Sequence, residues 1–129
     1  MDQNLINRKT EKSHKDLKVY KLSYDLGLQI HKMSVQFPEI EKFTLAQQLR
    51  TSAMSIPANI AEGMTRQSST IEIARFLRIA LGSSSEVIVW LNYAYDLGYI
   101  DNNEFENFTK KCNEIGKMLQ GLIKYYSLK

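Results

Sequence analysis

Apolar side chains recur every three or four residues along most of this chain, a spacing that marks helices with one buried face. Val19, Leu22, Leu26, Ile30, Met33 and Phe37 form the first stripe and predict a helix over about residues 16–36. Pro38 ends it, because the residue before a proline avoids helical dihedrals. Leu45, Leu49, Ala53, Ile56 and Ile60 form the second stripe, over 44–62. Thr44 and Gln47 make a capping box at its start, and Gly63 reads as its C-terminal cap. Pro57 falls inside this stretch and removes one helical hydrogen bond, so the helix is expected to kink there. A separate short helix starting at Ser55 is the alternative.

Ser69 and Glu72 form a capping box ahead of the longest stretch, over 70–97. Its stripe is Ile73, Phe76, Leu77, Ala80, Ser84, Val87, Leu91 and Ala94. Yet Ile79, Leu81, Val89, Trp90 and Tyr93 lie off that stripe, which makes the helix apolar on several sides. Such a helix is buried on more than one side, so Val89 and Trp90 are expected in a subunit interface. After a turn at Gly98, Asp101 and Glu104 open a fourth helix over 102–126, with Phe105, Phe108, Cys112, Ile115, Leu119, Leu122 and Tyr126 on one face. No sustained alternation of period two and no hairpin turn signal occurs. The pattern predicts an all-α fold: an antiparallel up-down four-helix bundle over residues 16–129, its second helix kinked, behind a loose polar leader over 1–15.

Composition adds exclusions. With 129 residues the chain has the size of one domain, and its single cysteine rules out an intrachain disulfide. No apolar run reaches the roughly 20 residues of a bilayer span, and the polar first residues do not form a signal peptide. A cytoplasmic protein without membrane contact is the expectation. The net charge of +3 is too mild to indicate nucleic-acid binding by itself.

Candidate chemistry is sparse. The two histidines, His14 and His31, stand 17 residues apart, and no HExxH, CxxC or Glu-x-x-His pair accompanies them, so no metal or cofactor is expected. Cys112 sits on an apolar stripe and reads as a small buried hydrophobe. Gly82, Ser83, Ser84 and Ser85 lack a phosphate-loop spacing. They suit close packing against Ser52, Ala53, Ser55, Ala58 and Ala61 instead. No catalytic constellation emerges, and the chain does not read as an enzyme. Asn59, Glu62 and Glu86 interrupt apolar or small-residue stretches and are expected to form a buried polar network that fixes helix register. The expected pairs are Glu62 with Arg66, Glu72 with Arg75, and Glu86 with Arg50 across helices.

Two segments carry a specific resemblance. One is Leu45-Ala46-Gln47-Gln48-Leu49-Arg50, followed by Ser55-Ile56-Pro57-Ala58-Asn59-Ile60-Ala61-Glu62-Gly63 and Arg66; the other is Phe76 to Ser83 followed by Glu86. Together they resemble the bacterial four-helix-bundle family that includes proteins encoded in intervening sequences of 23S rRNA genes. The similarity runs from about Asp16 to Tyr126. Where that family often has two consecutive arginines, this chain has Arg50-Thr51. The family is similar in fold to the accessory protein of diversity-generating retroelements, a pentameric ring that associates with a reverse transcriptase and nucleic acid. The resemblance therefore implies self-assembly, as a pentamer, and contact with RNA or a reverse transcriptase-like nucleoprotein. Arg50, Arg66, Arg75 and Arg78 are the candidate phosphate contacts, since a guanidinium donates two hydrogen bonds at once. Pro57, Asn59, Glu62, Gly63 and Glu86 form the candidate structural motif. A protein-interaction scaffold with no affinity for nucleic acid is the alternative.

Overall fold

The computed structural model describes residues 14–66 and 69–128, the side chains of Asp16 and Arg66 excepted. Four helices carry the fold: α1 over Lys18–Ser34, α2 over Leu45–Arg66, α3 over Thr70–Asp96 and α4 over Asn102–Ser127. Among the described residues there is no strand. Most of the expected leader lies outside these residues, but its last part is not loose. His14–Asp16 forms a 3-10 turn that packs on α1 and α2, with the His14 ring edge-on to Tyr20 at 4.9 Å.

Each apolar stripe faces a common core. Leu26, Ile30, Leu49, Ile56, Ile60, Leu77, Leu91, Ile115 and Leu119 are almost completely buried. Burying each such side chain contributes about 1.5–3 kcal/mol, and this hydrophobic term holds the bundle together. The chain runs up and down, with α2 packed on α1 and α3, and α3 on α4; the α1–α4 contact closing the square is the sparsest.

The ends of the helices follow local chemistry. Ser69 Oγ accepts from the Glu72 backbone N–H at 3.1 Å at the start of α3. Asp101 and Glu104 form a full capping box at the start of α4. Gly98 adopts φ +77°, and the N–H groups of Gly98 and Tyr99 turn back to the carbonyls of Tyr95 and Ala94, closing α3 with a left-handed cap. Thr44 differs from expectation: its hydroxyl donates to Glu41 Oε1 at 2.6 Å instead of capping the helix that follows.

Pro57 lies inside α2, which is continuous, so no new helix begins at Ser55. The proline leaves the Ala53 carbonyl without its helical donor. At that carbonyl α1 contributes Gly27, where an added Cβ would stand 3.9 Å away. Gly63 also differs from expectation: it is a buried helical residue, not a cap. A Cβ there would come within 2.9 Å of Phe76 Cβ and 3.4 Å of the Ile73 carbonyl, so its role is to let α2 and α3 approach.

Candidate functional site

The contact between α2 and α3 carries a line of small polar side chains. Ser55 and Ser83 hydroxyls lie 2.8 Å apart, and Asn59 Nδ2 donates to both the carbonyl and the hydroxyl of Ser55. Further along, Ser52 Oγ and Trp90 Nε1 donate to Glu86 Oε1 at 3.0 and 3.2 Å. Buried Ser84 instead turns to α4 and donates to the Cys112 carbonyl. Ser52, Ser55 and Ser83 sit at this contact as expected, whereas Ala58 and Ala61 line the side of α2 that faces α1 and Ser85 is exposed. Gly82 does not share in this: it faces outward, with nothing within 4 Å of an added Cβ.

The charged members are not buried. Glu62 and Glu86 are exposed and Asn59 is half-buried, so the network is a solvated seam with serine partners, not an internal ion-pair network. Nor does Arg50 pair with Glu86. Arg50 donates to Ser34 Oγ at 3.3 Å and to the Lys42 carbonyl at 3.1 Å, fastening the end of α1 and the following loop to α2. The pairing of Glu62 with Arg66 lies outside the described side chains.

The structure separates the four candidate arginines. Because α2 and α3 are antiparallel, Arg50 lies near one end of the bundle; Arg66, Arg75 and Arg78 lie near the other, about 20 Å away along the helix rise. Arg75 meets Glu72 through two bonds of 3.1 Å and lies over the Phe76 ring, so its charge is already answered. Its guanidinium is held protonated more firmly by the hydrogen bond and charge of Glu72. Arg78 donates to the neutral Ser127 hydroxyl.

Among the described residues, two apolar surfaces stand open beside hollows. On α3, Val89 and Tyr93 are 48% and 55% exposed and Trp90 is half-buried. Trp90 and Tyr93 border a hollow of about 390 Å³ that Phe43 and Leu97 also line. Between α1 and α2 runs a groove of about 360 Å³, formed by Tyr20, Tyr24, Leu28, Met54, Pro57 and Ala58 among others. The expectation of an outward apolar face on α3 anticipates the first surface. The groove escaped the sequence reading because Tyr24, Leu28 and Met54 look like ordinary off-stripe residues until two helices bring them together.

Comparison with known families matches residues 15–121 to the model of the 23S rRNA-intervening sequence proteins. The chain belongs to this family. A crystal structure of a protein of unknown function from the S23 ribosomal protein family of Bacteroides thetaiotaomicron is similar to it, with 29% identity and a TM-score of 0.73. That similarity covers 82% of this chain and 98% of the other. Comparison with the curated proteins finds no match.

In this 23S rRNA-intervening sequence protein the Ser55–Gly63 motif is thus a packing element with a polar rim. Among the described residues no group of three or more His, Cys, Asp or Glu could hold a metal ion. No described helix is long and apolar enough to cross a membrane. Cys112 is buried, and desolvation pushes its thiol up to about 12, so the thiolate needed for nucleophilic chemistry does not form near neutrality.

Proposed function

We propose that this protein works as a non-enzymatic, closed homo-oligomer, a pentamer, that binds RNA or a nucleoprotein partner. The observation that carries the reading is the open apolar flank of α3, where Val89, Trp90 and Tyr93 leave in water the kind of surface that obligate interfaces bury. A second, different apolar surface lies between α1 and α2, on the adjacent side of the same square bundle. Two unlike faces suit head-to-tail contact, which builds rings, better than a two-fold dimer, which reuses one face.

RNA contact is supported by Arg50 and Arg78, which donate to neutral oxygens of Ser34, Lys42 and Ser127, so each guanidinium keeps an uncompensated charge for phosphate. Arg66 belongs to the same end as Arg78. Arg75 would have to leave Glu72 to take part. In a ring, the +3 of each chain adds up around the axis. The test is RNA affinity over a salt series, for the unmutated protein and for Arg50→Gln and Arg66→Gln/Arg78→Gln. Phosphate contact predicts weaker binding and a salt slope flatter by up to about one unit per lost contact. Unchanged affinity and slope in an assembled variant removes that arginine from the site. No RNA binding by the unmutated protein leaves the protein-interaction scaffold.

A further inference from the structure

The two open surfaces differ in charge as well as in shape. From Ile79 to Thr109 the chain has five acids and no basic residue, so the second half of α3 and the start of α4 are acidic throughout. The hollow beside Trp90 and Tyr93 also takes in Glu41, and Glu86 stands one turn away, bonded to the Trp90 indole. Lys42 is the exception on this side and is folded over the Phe43 ring at 5.5 Å.

The groove between α1 and α2 has the opposite character. His31 lines it directly, and the hollow that continues it past Tyr20 and Tyr24 is lined by Lys15 and Lys21. Residues 14–34 hold four lysines and two histidines against Asp16 and Asp25. The Asp25 carboxylate already accepts from Gln29 Nε2 at 2.6 Å. One face is therefore apolar with an acidic rim, the other apolar with a basic rim, and they lie on adjacent sides of one chain.

We infer that the α1–α2 groove is the socket for a second copy of this chain, which inserts the Val89–Trp90–Tyr93 flank of its α3. This rests on the assembly reading above and specifies its interface. Apolar contact at the centre supplies the hydrophobic term, while the opposite rims orient the approach and disfavour like faces meeting. The contact is heterologous, so each copy uses both faces. It also removes the basic face of α1 from the surface open to RNA.

Two variants test it, each replacing half-exposed residues that the core does not need: Leu28→Glu/Met54→Glu in the socket and Val89→Glu/Tyr93→Glu on the flank. Circular dichroism checks that each remains helical. Light scattering is expected to give a monomer for each variant alone. An equimolar mixture retains one intact socket and one intact flank, so it is expected to give a dimer of about 30 kDa, twice the chain mass, and nothing larger. Either variant keeping the unmutated mass overturns the pairing, as does a mixture that stays monomeric. Both of those results leave an assembled wild-type protein, and with it the proposed function, standing. A monomeric wild-type protein overturns both.

Crosslinking gives a second readout that does not require breaking the interface. Cys112 is buried, so cysteines placed at Leu28 and Val89 can be joined selectively by a flexible bismaleimide. The chain carrying both Leu28→Cys and Val89→Cys is expected to give a ladder of covalent multimers, and each single variant none. A dimer from either single variant, or no ladder from the double variant, contradicts the socket.

Discussion

The Tyr99 hydroxyl donates a 2.8 Å hydrogen bond to Glu41 Oε2, joining the turn after α3 to the loop that leads into α2. Thr44 donates to the other carboxylate oxygen at 2.6 Å. The Thr44 hydroxyl first, then the Tyr99 hydroxyl, with a smaller part from the Leu45 backbone N–H, holds the Glu41 carboxyl below its ordinary value of 4.5. Burial opposes them, with an effect larger than that of the Leu45 bond. The same carboxylate raises Tyr99 above its ordinary 10.0.

The signs of the pH dependence follow. Glu41 has a depressed folded value, so its stabilisation is present above about 4.5 and is lost as the pH falls through the lower folded value. Tyr99 has a raised value, so its contribution is present below about 10 and is lost as the pH rises through the higher folded value. Glu41→Gln is expected to flatten the fall of Tm on the acid side, and Tyr99→Phe the fall on the alkaline side. Thermal melts from pH 3 to pH 11 check both; identical profiles for wild type and variants would show that the tie is not made in solution.

Three glycines give a graded series in thermal melts. Gly63→Ala puts a methyl 2.9 Å from Phe76 Cβ, so overpacking is expected to destabilise by about 1–3 kcal/mol. Gly27→Ala meets only ordinary contact at 3.9 Å and is expected to be neutral to mildly stabilising. Gly82→Ala meets nothing and is expected to gain up to about 1 kcal/mol from helix propensity. A different order would mean that α2 and α3 do not approach as described.

Cys112 is a probe of the core. Its buried thiol, raised to about 12 by desolvation, is expected to resist a thiol reagent at pH 8 in the folded protein and to react completely in denaturant. Cys112→Ala leaves a small void and is expected to cost about 1 kcal/mol or somewhat more. Rapid labelling of the native protein would place α4 differently.

Leu49→Ala removes a fully buried side chain where α2 meets the core, and is expected to cost about 2–5 kcal/mol by chemical denaturation. Met54→Ala, five residues on but half-exposed, is expected to cost far less in an isolated chain. A larger cost for Met54→Ala in the assembled protein than in a monomeric variant would reflect burial by a second copy.

The helices are legible in the sequence because each stripe has the helical period, and α3 and α4 also start at a capping residue, Ser69 and Asp101. Pro57 inside α2 was legible too, since the apolar stripe continues past it. Gly63 is not legible as a packing residue, because a glycine at the end of a stripe looks like a cap and only the partner helix brings Phe76 against it. Opposite charge alone suggests Arg50 as a partner for Glu86, but the fold gives each of them nearer neutral partners. The α1–α2 groove had no signature of its own: Tyr20, Tyr24 and Leu28 on α1 and Met54, Pro57 and Ala58 on α2 do recur at helical spacing, but they flank the core stripes, and the surface they share exists only once the helices pack.

The mass of the unmutated protein in solution tests the central claim most directly. Light scattering at micromolar concentration is expected to give a single closed species of about 75 kDa, five times the 14.9 kDa chain. A mass of 14.9 kDa across that range would contradict assembly, and with it the reading of the α3 flank as an interface.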